Sequence, residues 1–229
     1  MKEKAMVLVE FTGTVTDTGR VFDTTNEQTA KDAQLYRENA IFKPIPVVVG
    51  NGDLLKGLDD ALKGMKEKET KKIHLEAKDA FGERKSELIV VVPLQEFTNR
   101  KIRPVPGLIV DLNGQYGKVQ TVSGGRVRVD FNSDLAGKDV DYEIKINKEV
   151  KDVNEKVALM TEKFFPLKKE KAIPKLEKDV LKLKLPKELA AQIAPLVEPF
   201  TKVLKETIPE IKKVEIVESF DAKPKKEKK

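Results

Sequence analysis

All 13 glycines of this 229-residue chain lie at or before Gly137, and that distribution limits where a turn-rich fold can be built. Glycine supplies positive φ in tight turns without steric cost. A sheet joined by short reversals therefore belongs to the first part of the chain. Seven of the 12 prolines follow residue 150, and the charge divides at the same place. Residues 1–150 carry 24 basic and 24 acidic side chains, whereas residues 151–229 carry 20 lysines and 14 acids, so the whole formal charge of +6 sits in the last third. A boundary is expected near Lys151. The closing residues, PKKEKK, have nothing apolar to bury and predict a disordered, solubilising tail.

Composition removes several classes of chemistry. With 39% hydrophobic and 36% charged residues the chain can build packed cores. It has no cysteine, which excludes disulfides, thiolate catalysis and cysteine zinc sites and fits a reducing cytoplasm. With one histidine besides, no metal site and no cofactor is expected. The longest apolar run, Leu88 to Val92, is too short to cross a bilayer, and the N-terminus lacks a signal-peptide core, so no membrane association is expected. No G-x-S-x-G accompanies the four serines, against a serine hydrolase. Gly50-Asn51-Gly52 is not followed by Gly-Lys-Ser/Thr and reads as a tight strand-to-helix turn. His74, between Lys72 and Glu76, reads as a surface histidine, and the acid pairs Asp59-Asp60 and Asp139/Asp141 as solvated faces.

Hydropathy patterning supplies the elements. Val7, Val9, Phe11 and Val15 alternate with polar residues, as in a half-buried strand. Val21-Phe22-Asp23 continues after a turn at Asp17-Thr18-Gly19, and Asp32 to Ala40 reads as a helical turn or loop. Val47-Val48-Val49 ends at the glycine turn. From Leu54 the apolar positions 54, 55, 58, 61, 62 and 65 form one helix face, with Asp53 at its N-terminus. Ile73, Leu75 and Ala77 alternate again. Three short strands follow over 108–131, with Asn113-Gly114 and Gly124-Gly125 as hairpin turns, and Pro93, Pro104 and Pro106 precede them. Val140, Tyr142, Ile144 and Ile146 then read as a returning strand, so the β unit is inserted. After the boundary, Asp152 to Glu155 has capping-box spacing before a helix, and Leu181, Leu183 and Leu185 form a strand. A helical pair broken by Pro195 and Pro199 follows, then a strand at Val214 and Ile216 with Phe220 beyond.

The runs VEFTGTVTDTGRVFDTT, VVVGNGDLLKGLDDALKGM and HLEAKDAFGE together resemble the FKBP-type peptidyl-prolyl cis/trans isomerases. The insertion after Phe81-Gly82, returning through FNSDLAGKDVDYEI, is similar to the SlyD-like subgroup, in which an insert-in-flap domain stands over the active site. The last third resembles, by position, the C-terminal module of long archaeal members. The implied fold is α+β: an antiparallel half-barrel sheet around one helix, an inserted small β domain and a C-terminal α+β domain. The corresponding bounds are 1–85 and 134–150 for the isomerase domain, 86–133 for the insert, 151–222 for the C-terminal domain and 223–229 for the tail.

The resemblance also implies site residues. Phe22 and Asp23 match the family's Phe-Asp pair. Leu54 and Leu55 match the pair whose backbone N–H would hold a substrate carbonyl, and Asp53 falls on the acidic position before them. Leu58 takes the pocket floor, Phe81 the Ala-Tyr/Phe-Gly motif and Tyr142 the aromatic of the returning strand. Phe11 and Phe81 stand where relatives commonly have Tyr; the first change leaves Asp23 without its usual hydroxyl partner. Ser133-Asp134 also departs from the family's Asn-His pattern.

In the insert, Leu88, Ile89, Val91, Phe97, Ile109 and Val110 are the apolar residues expected to hold unfolded, proline-containing clients, as SlyD-like chaperones do. Read without the resemblance, such residues are ordinary core. Homodimerisation through the C-terminal domain follows from the analogy. Two other readings remain at this stage. One is a chaperone or assembly factor with little isomerase activity. The other is an RNA- or ribosome-associated module using the basic last third and the β unit, disfavoured because residues 1–150 are neutral and the insert's basic residues are not interleaved with aromatics.

Overall fold

The computed structural model describes residues 1–165 and 173–219. In chain order the elements are β1 (Met6–Val15), β2 (Val21–Thr24), α1 (Glu27–Asp32), β3 (Ile45–Val48), α2 (Lys56–Gly64), β4 (Thr70–Leu75), β5 (Ile89–Pro93), α3 (Leu94–Asn99), β6 (Ile109–Leu112), β7 (Gln115–Ser123), β8 (Arg126–Asp130), β9 (Val140–Val150), α4 (Val153–Phe164), β10 (Ile173–Glu177), β11 (Val180–Pro186), α5 (Lys187–Thr207) and β12 (Lys213–Ser219). They form an α+β architecture with three sheets. The first runs β2-β1-β9-β4, with β3 also pairing β1. In that antiparallel pair Met6 faces Val48 and Val9 faces Ile45.

Residues 33–44 hold no regular element. The helix expected within 32–40 lies earlier, as α1, because Asn26 caps it: its Oδ1 accepts from the Thr29 N–H at 2.9 Å. Downstream, Asp152 caps α4 as its spacing predicts, accepting from the Glu155 N–H at 2.8 Å.

The chain divides into two compact units. The first contains residues 1–13 and 21–73 and the described residues from Tyr142 onward; the second contains 14–20 and 74–141. No division falls at Lys151. In the first unit one continuous apolar cluster joins Met6, Val48 and Val150 to Val157 and Met160 of α4, Leu181, Leu183 and Leu185 of β11, and Phe200 and Leu204 of α5. The start of β1 is therefore buried on both faces, with Met6 and Val7 both inaccessible. Residues 173–219 form the sheet β10-β11-β12, antiparallel then parallel, and α5 makes the crossover that a parallel pair requires.

The helical pair expected around Pro195 and Pro199 is instead the single helix α5. An interior proline costs about 3 kcal/mol. Burying Ile193, Phe200 and Leu204 along one face returns about 1.5–3 kcal/mol per side chain, so packing overrides the local penalty. Phe220 and the basic tail lie outside the described residues.

In the second unit the insert is a four-stranded antiparallel sheet in the order β5-β8-β7-β6. Asn113-Gly114 and Gly124-Gly125 both carry positive φ at their two residues, the geometry of the primed hairpin turn. The six-residue helix α3, which the sequence did not announce, places Phe97 at the centre of the insert's core.

Candidate active site

Alternation along β1 sends Phe11 and Gly13 to one side of the sheet and Glu10 and Thr12 to the other. On the first side three aromatic rings converge. Phe22 of β2 meets Tyr142 of β9 edge-on at 5.6 Å between centroids, and Phe11 meets the same Tyr142 at 6.0 Å and 57°. Gly13 is the floor under two of them. A Cβ there would stand 2.7 Å from Phe22 Cζ and 2.9 Å from Tyr142 Cε1, so the rings sit where any larger residue would put a side chain. Threonines lock the strand that carries Phe11: its N–H donates to Thr25 Oγ1 at 2.9 Å, and its carbonyl accepts from the Thr25 N–H at 3.0 Å.

Asp23 follows Phe22. The residue as a whole is exposed, yet loss of solvation around its carboxyl raises its pKa, opposed by the Thr24 backbone N–H. Among the described residues no side chain donates to it. Tyr142 is pushed up to about 12, first by burial and second by the charge of Asp23. Both groups mark a site poorer in water than the surface around it.

The turn Gly50 to Leu55 leads into α2. Leu54 and Leu55 are half-buried, Leu58 is buried, and Leu55 occupies the N-cap without a capping side chain. Among the described residues, the N–H groups of Leu54 and Leu55 have no acceptor. Phe11 also borders a mostly polar cleft, whose other walls include Glu10, Thr12, Thr25, Glu143 and Lys145.

Family models match in sequence order. An FKBP-type peptidyl-prolyl cis-trans isomerase model covers residues 1–94, and the model described as FKBP26, IF domain covers 90–135. The short-type peptidyl-prolyl cis-trans isomerase of Methanocaldococcus jannaschii is 33% identical over 128 residues, which span 56% of this chain and 82% of that protein. The chain belongs to the FKBP-type peptidyl-prolyl cis–trans isomerases. A probable FKBP-type 16 kDa isomerase of Pseudomonas fluorescens is 30% identical over 108 residues, 45% of this chain and 71% of that one. An FKBP-type 16 kDa isomerase of Escherichia coli is 28% identical over 150 residues, 64% and 91% of the two chains.

Of the isomerase's expected site residues, the structure brings Phe11, Phe22 and Tyr142 together, with Asp23 beside Tyr142. Asp53, Leu54, Leu55 and Leu58 form a second group in the same unit. Phe81 belongs to the other unit and is 37% exposed. In the insert, Phe97 and Val110 are corrected from client-binding to core residues. They are buried among Val119, Val127 and Val129, where no client can reach them. Leu88, Val91 and Ile109 are exposed, the last two at 58% and 66%, and Ile89 is half-buried.

Three acids read as solvated have structural partners. Asp59 is buried and accepts from the Gly50 and Gly52 N–H groups at 2.8 and 3.1 Å. Asp139 accepts from the Ala77 N–H at 2.8 Å, and Asp141 lies 2.8 Å from Nδ1 of the exposed His74. That contact raises the histidine's pKa and lowers that of Asp141. Gly13 is the residue that sequence reasoning missed; a glycine two positions after Phe11 on an alternating strand was its signal. Among the described residues no helix is long and apolar enough to cross a membrane, and no group of three or more acidic or histidine side chains is placed to hold a metal ion.

Proposed function

We propose that this isomerase accelerates proline-limited folding by holding a twisted X-Pro amide against Phe11, Phe22 and Tyr142, and that its insert binds the unfolded chain that carries the proline. Rotation about an X-Pro bond faces a barrier of about 18–20 kcal/mol because planar resonance is lost midway. The twisted amide has less charge separation than the planar one, so a water-poor aromatic bed favours it over the ground state. Each ~1.4 kcal/mol of that preference speeds the step tenfold. No nucleophile or cofactor enters this scheme. The Leu54 and Leu55 N–H groups are the donors for a carbonyl of the bound chain, and Leu58 lines the floor. The observation that carries the reading is the ring cluster over Gly13.

The insert's role rests on its edges. Among the described residues, strands β5 and β6 each pair on one side only, and they carry the exposed Val91 and Ile109. An extended apolar segment can add to such an edge. Tethering it to the same chain as the pocket raises the local concentration of its prolines. The cysteine-free composition fits a cytoplasmic setting. One observation favours the alternative of a chaperone with little isomerase activity: among the described residues Asp23 has no side-chain hydrogen-bond donor, where the family's tyrosine would supply one.

The test is refolding of a proline-limited, unfolded protein with the full chain and with the double variant Val91→Asp, Ile109→Asp. The reading expects acceleration by the parent. The variant should lose most of it while keeping full activity on a short proline peptide. Suppressed aggregation with no acceleration by the parent would leave the chaperone reading alone.

A further inference from the structure

The segment from Gly50 to Leu55 brings the Leu54 and Leu55 donors to the start of α2, and side chains hold it in place. Asp59 grips the two glycine N–H groups. Asp53 grips the rest: Oδ2 accepts from the Val48 N–H at 2.8 Å, and Oδ1 accepts from Asn51 Nδ2 at 2.9 Å. The Asp53 side chain is only 11% exposed, and a carboxylate so enclosed needs a counterion as well as donors. That counterion comes from the last third of the chain. Lys163, in the last turn of α4, pairs with Asp53 Oδ2. Its Nζ is buried, and among the described residues Asp53 is its one ion-pair partner. The neighbouring Glu162 pairs with Lys43 at 2.5 Å, so α4 holds the same unit at a second point away from the Gly50–Leu55 turn.

We infer that Lys163 is a positioning residue of the isomerase: it fixes Asp53 and, through Asp53, the Leu54 and Leu55 N–H groups offered to a bound chain, so that the last third of the chain sets the affinity of the pocket. The inference rests on the proposed use of those two donors. The pair differs from a surface salt bridge, whose worth is small because water solvates both partners. Here each charge is enclosed and each depends on the other. The Asp53 carboxylate is also bonded to the backbone on the strand side of the turn whose far end is Leu54-Leu55. A shift of Asp53 is therefore transmitted to the donors by the chain itself, without any contact between Lys163 and substrate.

The test compares full-length parent, Lys163→Met, Lys163→Arg and Glu162→Gln. Methionine keeps the length and helix propensity of lysine while removing its charge, and Asp53 retains its two neutral donors, so the variant is expected to fold. On a short proline peptide, Lys163→Met should raise KM about tenfold with kcat changed less than about twofold, because a backbone donor binds ground and transition states alike. Lys163→Arg should recover most of the loss. Glu162→Gln loosens the same helix at its other anchor and should match the parent. Independently of activity, the backbone amide resonances of Val48, Leu54 and Leu55 should move in Lys163→Met and not in Glu162→Gln. Unmoved resonances and an unchanged KM in Lys163→Met would overturn the inference; so would equal losses in Lys163→Met and Glu162→Gln. A parent without isomerase activity overturns the proposed function instead, and the amide shifts alone then decide whether Lys163 positions the turn.

Discussion

Replacing Gly13 with alanine adds one methyl group under the aromatic cluster and nothing else. Gly13 is not among the glycines with positive φ, so alanine meets no backbone strain and the effect is steric. The new Cβ would stand 2.7 and 3.0 Å from two Phe22 ring carbons and 2.9 Å from Tyr142 Cε1. Carbon pairs rest at about 3.5–4.0 Å, so the rings must withdraw by roughly 0.5–0.8 Å. Overpacking of this kind costs about 1–3 kcal/mol, and alanine offsets about 0.4–1 kcal/mol by stiffening the unfolded chain. A net loss of about 1–2 kcal/mol in urea unfolding is expected. Catalysis should suffer more than stability, because a displacement approaching 1 Å at a reacting centre can cost about 100-fold. The assay is cis–trans exchange of a short proline peptide beside urea unfolding of the same preparation. A Gly13→Ala variant with parental kcat/KM and shifted ring resonances would show that the rings' placement does not matter to catalysis.

Four further outcomes follow from the same geometry. Ultraviolet titration should find one tyrosine ionising near 12, pushed up by its burial and by the nearby Asp23 charge; Asp23→Asn should lower that value without restoring the ordinary 10. Because the folded-state pKa of Asp23 is raised, its ionised form opposes folding: stability falls as pH rises through the interval between the ordinary and raised values. Asp23→Asn should therefore raise the Tm at neutral pH, and the gain should vanish below that interval. His74, the one histidine, has a raised pKa, so its contribution is full below its unfolded value and lost as pH rises through the folded one; proton resonances of its ring should titrate lower in Asp141→Asn. Phe97→Ala, which empties the centre of the insert's core, should destabilise that unit by about 3–5 kcal/mol, measured as lost amide protection in β5–β8.

Local chemistry made much of this legible. The period-2 runs at β1 and β9, the glycine hairpin turns and the Asp152 cap are each decided within a few residues, and the structure places them accordingly. The aromatic members of the site were legible because Phe11, Phe22 and Tyr142 sit on such strands and resemble a family pattern. What escaped was decided at a distance. Nothing near Asp59 announces that it closes on Gly50 and Gly52, and nothing near Asp53 announces Lys163. The proline positions in α5 pointed to a break that packing against the cluster around Leu183 overrides. An apolar residue reads the same whether it faces a client or its own sheet; only the fold, which buries Phe97 and Val110 in the insert's core and leaves Val91 and Ile109 exposed, separates them.

The proposed function requires that the cluster of Phe11, Phe22 and Tyr142 lower the barrier to X-Pro rotation. Its most direct test is two-dimensional NMR exchange on a short proline peptide with a catalytic amount of the full chain, repeated with Phe22→Ala. Accelerated cis–trans exchange, peptide-dependent shifts of the Phe22 and Tyr142 rings, and loss of most of the acceleration in the variant are expected. Exchange at the uncatalysed rate, or equal acceleration by Phe22→Ala, would contradict the proposed function.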